Sequence, residues 1–348
     1  MSQPARGDAV VEAASPAPPD LVPGAQYPAL GGGGADDPRG SIEGRALGDR
    51  VYRWTITTFA VSIPILLVLI ALEVGRAAWP AFHTFGFGFL TSSRWDAVDG
   101  SFGAAPAIFG TVVSSLIALV IATPLAIGVA IFLSEFAPSW LRQPVAFLVD
   151  LLAAIPSVVY GLWGIFVLIP LLREHVMPFL ANTLHLGNTP FFSGPAYGPS
   201  MLAAGLILAV MVLPYISAVS REVLLAVPRS QREAALALGA TRWEMIWDAV
   251  LPYARSGILG GVILGLGRAL GETMAVTMVI GNRPEISSSL FAPGYTMASL
   301  IANEFTEATN DLHVSALMAV GATLFAITLV VNAIARWLVW RVSREARA

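Results

Sequence analysis

Two ionisable residues stand where the sequence is otherwise apolar: Arg268 and Glu272, inside the string GLGRALGETMAV at 265–276. The run around them, 257–281, is long enough to cross a hydrocarbon core, which takes about 20 residues. An arginine near the middle of such a run costs about 2.5–3.5 kcal/mol on insertion scales, and a carboxylate adds to that cost. On one continuous helix the two would share a face, about 6 Å apart along the axis, close enough to pair. A pair that merely held helices together is the plainer reading, yet apolar side chains would do that at lower cost. Charge at this depth points instead to a polar cavity or pathway. A guanidinium fork matches tetrahedral oxyanions two bonds at a time. A carboxylate beside it repels a fully ionised anion but accepts a hydrogen bond from one that carries a proton, as hydrogen phosphate does at neutral pH and sulfate does not.

What the sequence lacks narrows the chemistry further. Cysteine is absent, which removes disulfides, thiolate metal sites and cysteine catalysis. All 20 basic residues are arginine, so neither a phosphate-binding P-loop lysine nor a Schiff-base lysine exists. The histidines His83, His175, His185 and His313 lie far apart and without ligand spacing, so no metal site is expected. No nucleophile, base and metal constellation points to an intramembrane enzyme. Energy from ATP, if used, must come through another chain.

The elements that must position Arg268 and Glu272 are membrane spans. The chain of 348 residues is 56% hydrophobic and only 12% charged, about half the usual charge of a soluble domain. Apolar runs near 54–75, 107–133, 145–171, 200–219, 257–281 and 314–338 are each long enough to span. The expected fold is therefore an all-α integral membrane protein with about six transmembrane helices. Pro156, within AAIPSVVYG, is expected to kink the third. Gly257, Gly261, Gly265, Gly267 and Gly271 recur at mostly four-residue spacing in the fifth, which allows a neighbouring helix to approach closely.

Arginine placement sets the expected orientation. With the N-terminus inside, Arg45, Arg50, Arg53, Arg142, Arg221, Arg229, Arg232, Arg242, Arg255, Arg336, Arg341, Arg344 and Arg347 share the inner side, against Arg76, Arg94, Arg173 and Arg283 outside. Both termini are then cytoplasmic. Residues 1–48, rich in Pro, Gly, Ala and acidic side chains, are expected to be a disordered cytoplasmic extension and not a signal peptide. Residues 49–348 form the membrane domain, with an inner loop at about 228–255.

That inner loop carries helix signals. Ser230 with Glu233 three residues on reads as a capping box, Gly239 as a left-handed helix end, and Thr241 with Glu244 as a second capping box. Two short helices hinged at Gly239–Ala240 are expected, the second presenting Trp243, Ile246, Trp247 and Val250 to an apolar surface before Pro252 ends it. An amphipathic hairpin lying on the lipid is the alternative. The short, Ala-rich first helix (Ala234, Ala235, Ala237) suits a groove in a protein partner better.

The string EAALALGATRWEMIWDAVLP, Glu233 to Pro252, resembles the "EAA" loop of ABC-importer permeases, with Ala249 where that family usually has Ile. The resemblance implies that Glu233, Ala234, Ala235, Gly239, Leu251 and Pro252 belong to a coupling segment that docks into a cytoplasmic ATPase. SSRWDAVDGSFGAAPAIFGT (92–111), LLAAIPSVVYGLWG (151–164), FSGPAYG (192–198), GLGRALGETMAVTMVIGN (265–282) and ANEFTEA (302–308) together resemble the phosphate-specific permeases of the PstC type, over nearly all the chain from about residue 50. That resemblance implies the type I importer architecture, a bacterial inner-membrane location, and a role for Arg268 and Glu272 in moving phosphate. It also implies a PstA-type permease partner, a PstB-type ATPase dimer that binds the ATP and magnesium, and a periplasmic PstS-type phosphate-binding protein. No cofactor on this chain and no nucleic acid are expected.

Asn303, Glu304 and Glu307, in an acidic loop expected outside, read either as a solvated loop or as gating or docking residues. The wider alternatives are a permease for another oxyanion, molybdate or sulfate, or an ATP-independent secondary transporter or channel. The coupling-loop signals disfavour the latter, because an autonomous transporter needs no docking helix.

Overall fold

The computed structural model describes the backbone of residues 38–345 and the side chains of 48–341. The expected extension lies mostly outside the described residues; the first helix begins at Pro38, upstream of the expected start near 49. The described chain is helical, with a single isolated antiparallel bridge between Asp96 and Ser101. The helices used below are α1 (Pro38–Phe85), α2 (Ala105–Phe136), α3 (Ser139–Ala154), α4 (Ser157–Thr183) and α5 (Met201–Leu225). They continue as α6 (Arg229–Ala237), α7 (Arg242–Leu270), α8 (Met274–Val279), α9 (Met297–Glu304) and α10 (Asp311–Glu345). Six of them, α1, α2, α4, α5, α7 and α10, are long and apolar enough to cross a membrane.

The chain forms two compact units, one ending at Pro64 and one starting at Ile65. Of the first unit, residues 38–64 are helix, and the apolar side chains from Val51 to Ile63 are exposed. In the second unit α2 and α5 pack along their length. Ala118, Ala122 and Ala126 of α2 meet Ala203, Ala204, Ile207, Leu208 and Val212 of α5, and all are buried. Small side chains are the usual means of close helix approach in lipid, where apolar burial gives no net drive between helices.

Helix α7 packs on α5 through glycines. A Cβ at Gly257 would lie 2.5 Å from Val223, at Gly261 3.2 Å from Val219 and at Gly265 2.7 Å from Ile216. These three realise the expected glycine packing row. Gly267 does not: a Cβ there, or at Gly260, would meet nothing within 4 Å. One helix therefore carries two glycine rows, one packed and one facing open space.

Prolines account for two departures from the expected spans. The third span is Ser157–Thr183, displaced from the expected 145–171. Pro156 does more than kink a helix: Ile155 (ψ 129°) and Pro156 (ψ 141°) are both extended, which separates α3 from α4. A proline disfavours helical backbone at the residue before it. Pro170, Pro178 and Pro252, by contrast, stay inside helices. Just before each, the chain widens into a five-residue turn, in which Ile169 donates to Gly164, Met177 to Leu172 and Leu251 to Ile246. The wider turn relieves the clash of the ring with the carbonyl four residues back. Pro252 thus does not end the second loop helix as expected. That helix runs on to Leu270, and the span expected at 257–281 starts much earlier and breaks before Glu272.

Replacing Gly257 by Leu should overpack the α5–α7 contact at a cost of about 1–3 kcal/mol. Gly128→Ala, where a Cβ meets nothing within 4 Å, should be neutral or mildly stabilising. Thermal unfolding in detergent checks both: a lowered midpoint for Gly257→Leu alone is the expected outcome.

Candidate functional site: a buried ion pair at a helix break

Helix α7 stops at Leu270. Gly271 (φ −96°, ψ 1°) leads the chain out of the helix, and α8 begins two residues after Glu272. Glu272 therefore occupies a break inside the bundle, not a continuous helix face. Its side chain is 2% exposed. One carboxylate oxygen accepts the Ala275 N–H at 3.3 Å, serving one of the unpaired donors that open α8. The other receives an Arg268 terminal nitrogen at 3.1 Å. The four-residue spacing read from the sequence thus does yield an ion pair, with the break supplying the second bond. A lone carboxylate so buried would be strongly penalised, and both of its oxygens are partnered.

Arg268 is the exposed half, its side chain 40% accessible. It lines an open cavity of about 670 Å³ together with Tyr215 of α5, Gly260, Ile263, Leu264 and Gly267 of α7, and Asn332, Arg336 and Val339 of α10. Glu272 engages one of the guanidinium nitrogens, and among the described residues the group has no other partner. Its remaining N–H donors are available to an acceptor in the cavity.

The loop between α5 and α7 is built as a capped hairpin, with one correction. Helix α6 starts at Arg229 behind Pro228 with no side-chain cap, so the expected Ser230–Glu233 box does not form. The fixed backbone of Pro228 (φ −57°, ψ 140°) starts the helix two residues early and places Ser230 inside the first turn. The far end is as expected: Gly239 adopts φ +89°, the Gly239 N–H donates to Leu236 and the Ala240 N–H to Ala235, a Schellman ending. Thr241 and Glu244 form the second capping box, with both bonds present.

The apolar stripe of the second loop helix divides. Ile246 and Val250 are buried with Met245 against Ala130, Leu224, Val227 and Ala254, whereas Trp243 and Trp247 are exposed, edge to face at 5.7 Å. With Leu238, 90% exposed, they give the hairpin an outward apolar surface. Glu233, Ala234, Gly239 and Pro252 are also exposed, and Ala235 and Leu251 are half-buried against the same cluster.

What fixes the hairpin escaped the sequence reading. Arg232 of α6 binds Glu135 at the end of α2, at 2.8 Å, with side chains 18% and 10% exposed. The same guanidinium donates to the Leu224 carbonyl at 2.8 Å, in the last turn of α5, and to the Val227 carbonyl just past it. One side chain thus ties three helices. Its partner lies 97 positions away, and no local pattern announces it.

The acidic loop residues do not act as one group. Glu304 turns inward: one of its oxygens accepts the Trp95 indole N–H at 2.7 Å and lies 2.9 Å from Nε2 of His313, whose ring stacks on Phe102. Asn303 donates to the Tyr295 hydroxyl at 3.0 Å, and burial pushes that phenol above its ordinary range. Glu307 is exposed. None of the three lines the cavity at Arg268.

Residues 122–344 match the family described as binding-protein-dependent transport system inner membrane component. Two similar proteins are named phosphate transport system permease protein PstC. That of Mesorhizobium japonicum is 48% identical, over 87% of this chain and 93% of its own length. That of Pasteurella multocida is 47% identical, over 85% and 92%. Among solved structures, a bacterial ABC transporter involved in import of the acidic polysaccharide alginate aligns at TM-score 0.52 and 18% identity, over 85% of this chain and 99% of its own. An inward-facing MetNI methionine ABC transporter aligns at 0.51 and 18%, over 68% and 94%. At that identity the two structures speak for the fold.

Cutting the Arg232–Glu135 tie should loosen the hairpin. With no lysine in the chain, trypsin cleaves after arginine alone. Glu135→Ala should speed cleavage after Arg229 and Arg242 about tenfold or more, the equivalent of at least about 1.4 kcal/mol of lost local stability. Digestion in detergent followed by mass spectrometry reads this directly; unchanged rates would mean the tie is idle.

Proposed function

This chain belongs to the binding-protein-dependent transport permeases, and we propose that it is the PstC-type permease subunit of an ATP-driven phosphate importer in the bacterial inner membrane. It forms half of the translocation pathway and leaves ATP hydrolysis to a partner. The observation that carries this reading is a single helix: α7 joins the outward apolar hairpin at one end to Arg268 at the other. The assembly comprises a PstA-type permease beside this chain, a PstB-type ATPase dimer that holds ATP and magnesium, and a PstS-type phosphate-binding protein on the periplasmic side. Both termini lie in the cytoplasm, residues 49–348 are the permease domain, and residues 228–255 are the coupling loop.

The residues divide the work by position. Leu238, Trp243 and Trp247 meet the ATPase, and Glu233, Ala234, Ala235 and Gly239 shape the helix that presents them. Leu251 and Pro252 carry the movement into α7. At its far end Glu272 holds Arg268 by one nitrogen, and the free N–H donors take the oxyanion. Because Glu272 already balances the arginine, a fully ionised dianion meets a locally neutral pair. Both Glu272 oxygens are engaged, so an anion that still bears a proton donates it to an oxygen of Tyr215 or Asn332, which line the cavity. This favours hydrogen phosphate over sulfate or molybdate, the second reading. Asn303, Glu304 and Glu307 contribute to the outer face, where Glu307 is available to a docking partner and Glu304 anchors the loop.

ATP-dependent uptake of labelled phosphate into proteoliposomes holding the whole complex tests the assignment. Arg268→Gln should lower uptake about a hundredfold or more while the complex still assembles, since removing a charged donor forfeits roughly 3 kcal/mol. Normal phosphate uptake by that variant would sink the role of Arg268. Uptake of sulfate or molybdate in place of phosphate by the unaltered complex would move the chain to the second reading.

A further inference from the structure

Resting on the phosphate-permease reading, we propose that the cavity shared by Arg268 and Arg336 is a second oxyanion station, with Arg336 as the group that receives the anion after Arg268. The argument starts from charge. Arg268 is already paired with Glu272 at 3.1 Å, so the pair presents little net charge to the cavity. Arg336 lines the same cavity, and among the described residues it has no acidic partner. The uncompensated positive charge of this space is thus that of Arg336. The other polar groups are partly occupied: Tyr215 donates to the Ala153 carbonyl at 3.3 Å, and Asn332 donates to Thr328 at 2.9 Å, leaving its second N–H.

Shape supports the same assignment. The α7 side of the cavity that both arginines line carries the open glycine row, Gly260 and Gly267, where an added Cβ would touch nothing within 4 Å. On the other side of the helix, glycines are consumed by packing against Val223, Val219 and Ile216. Glycine in a helix interior costs about 1 kcal/mol against alanine, and at Gly260 and Gly267 no neighbour in this chain requires it. What these two glycines do is keep the cavity wide. Gly260 lies about 12 Å along the helix from Arg268, toward the hairpin end of α7. Under the cytoplasmic-termini orientation that is the inward direction. Arg341, by contrast, rests over the Trp337 ring at 5.6 Å, the arrangement of a membrane-interface arginine.

Arg268 and Arg336 therefore form two steps of a route, the first selecting the anion and the second drawing it inward. A phosphate oxyanion is the expected occupant; a phospholipid headgroup offers the same chemistry and must be separated by experiment. The test compares phosphate uptake by the reconstituted complex carrying Arg336→Gln, Arg336→Lys or Gly260→Leu. Arg336→Gln should lower the maximal rate about tenfold and shift the phosphate concentration for half-maximal uptake less than about twofold, because loading precedes this step. Arg336→Lys should restore most of the rate. Gly260→Leu, which alters no charge, should slow uptake by filling the cavity, and it decides the matter if Arg336→Gln fails to assemble.

Wild-type rates in both Arg336→Gln and Gly260→Leu would overturn the proposal. So would an effect of Arg336→Gln seen only in liposomes containing phosphatidylglycerol and lost in phosphatidylcholine alone, which would assign the arginine to a lipid. Absence of phosphate uptake by the unaltered complex would instead sink the permease reading beneath it. Normal uptake that needs Arg268 but ignores Arg336 and Gly260 would remove this inference alone.

Discussion

A carboxylate sealed inside a membrane protein must be partnered on both oxygens or give up its charge. Glu272, with its side chain 2% exposed, is the position around which the rest is arranged. Its two partners are an arginine four residues back and the opening turn of a new helix. Both need α7 to stop at Leu270 and the chain to re-enter helix at Met274. Irregular backbone at membrane depth is tolerated where it is buried in protein or lines a cavity, and this break does both. The same geometry leaves Arg268 held at one nitrogen with its remaining donors turned to open space.

The second constraint is mechanical. From Arg242 to Arg268 the chain is one helix, about 40 Å long at 1.5 Å per residue. It is interrupted only by the wide turn that admits Pro252. Movement at the exposed Trp243 and Trp247 reaches the ion pair without crossing a flexible joint. The hairpin in turn is fixed to the bundle by Arg232, which binds Glu135 together with the Leu224 and Val227 carbonyls at and just past the end of α5. The packed glycine row of α7 holds the shaft against α5 over the intervening turns.

Much of this was legible from residue types and spacing. Hydropathy alone places six spans, and four-residue spacing correctly pairs Arg268 with Glu272. Gly239 and the Thr241–Glu244 box end and start helices because each acts through its immediate neighbours. What failed was decided by longer range or by backbone detail. The apolar run around Pro156 is continuous in composition, so hydropathy could not show that Ile155 and Pro156 are extended and divide it. Gly267 falls two residues after Gly265, about 200° round the helix and off the row of Gly257, Gly261 and Gly265, but which of the two faces meets α5 is set by the fold. Ser230 has the right neighbour for a cap and loses the position to Pro228. Arg232 and Glu135 meet only because three helices converge.

The most direct measurement exploits the natural absence of cysteine. Leu264→Cys places a single thiol on the cavity wall beside Arg268. A charged, membrane-impermeant methanethiosulfonate applied to the detergent-solubilised complex should modify it. Phosphate should slow that modification several-fold, sulfate should not, and the protection should vanish when Arg268→Gln is added. Equal modification rates with and without phosphate, in a complex that transports phosphate, would place the anion's route elsewhere and contradict the role given to this cavity.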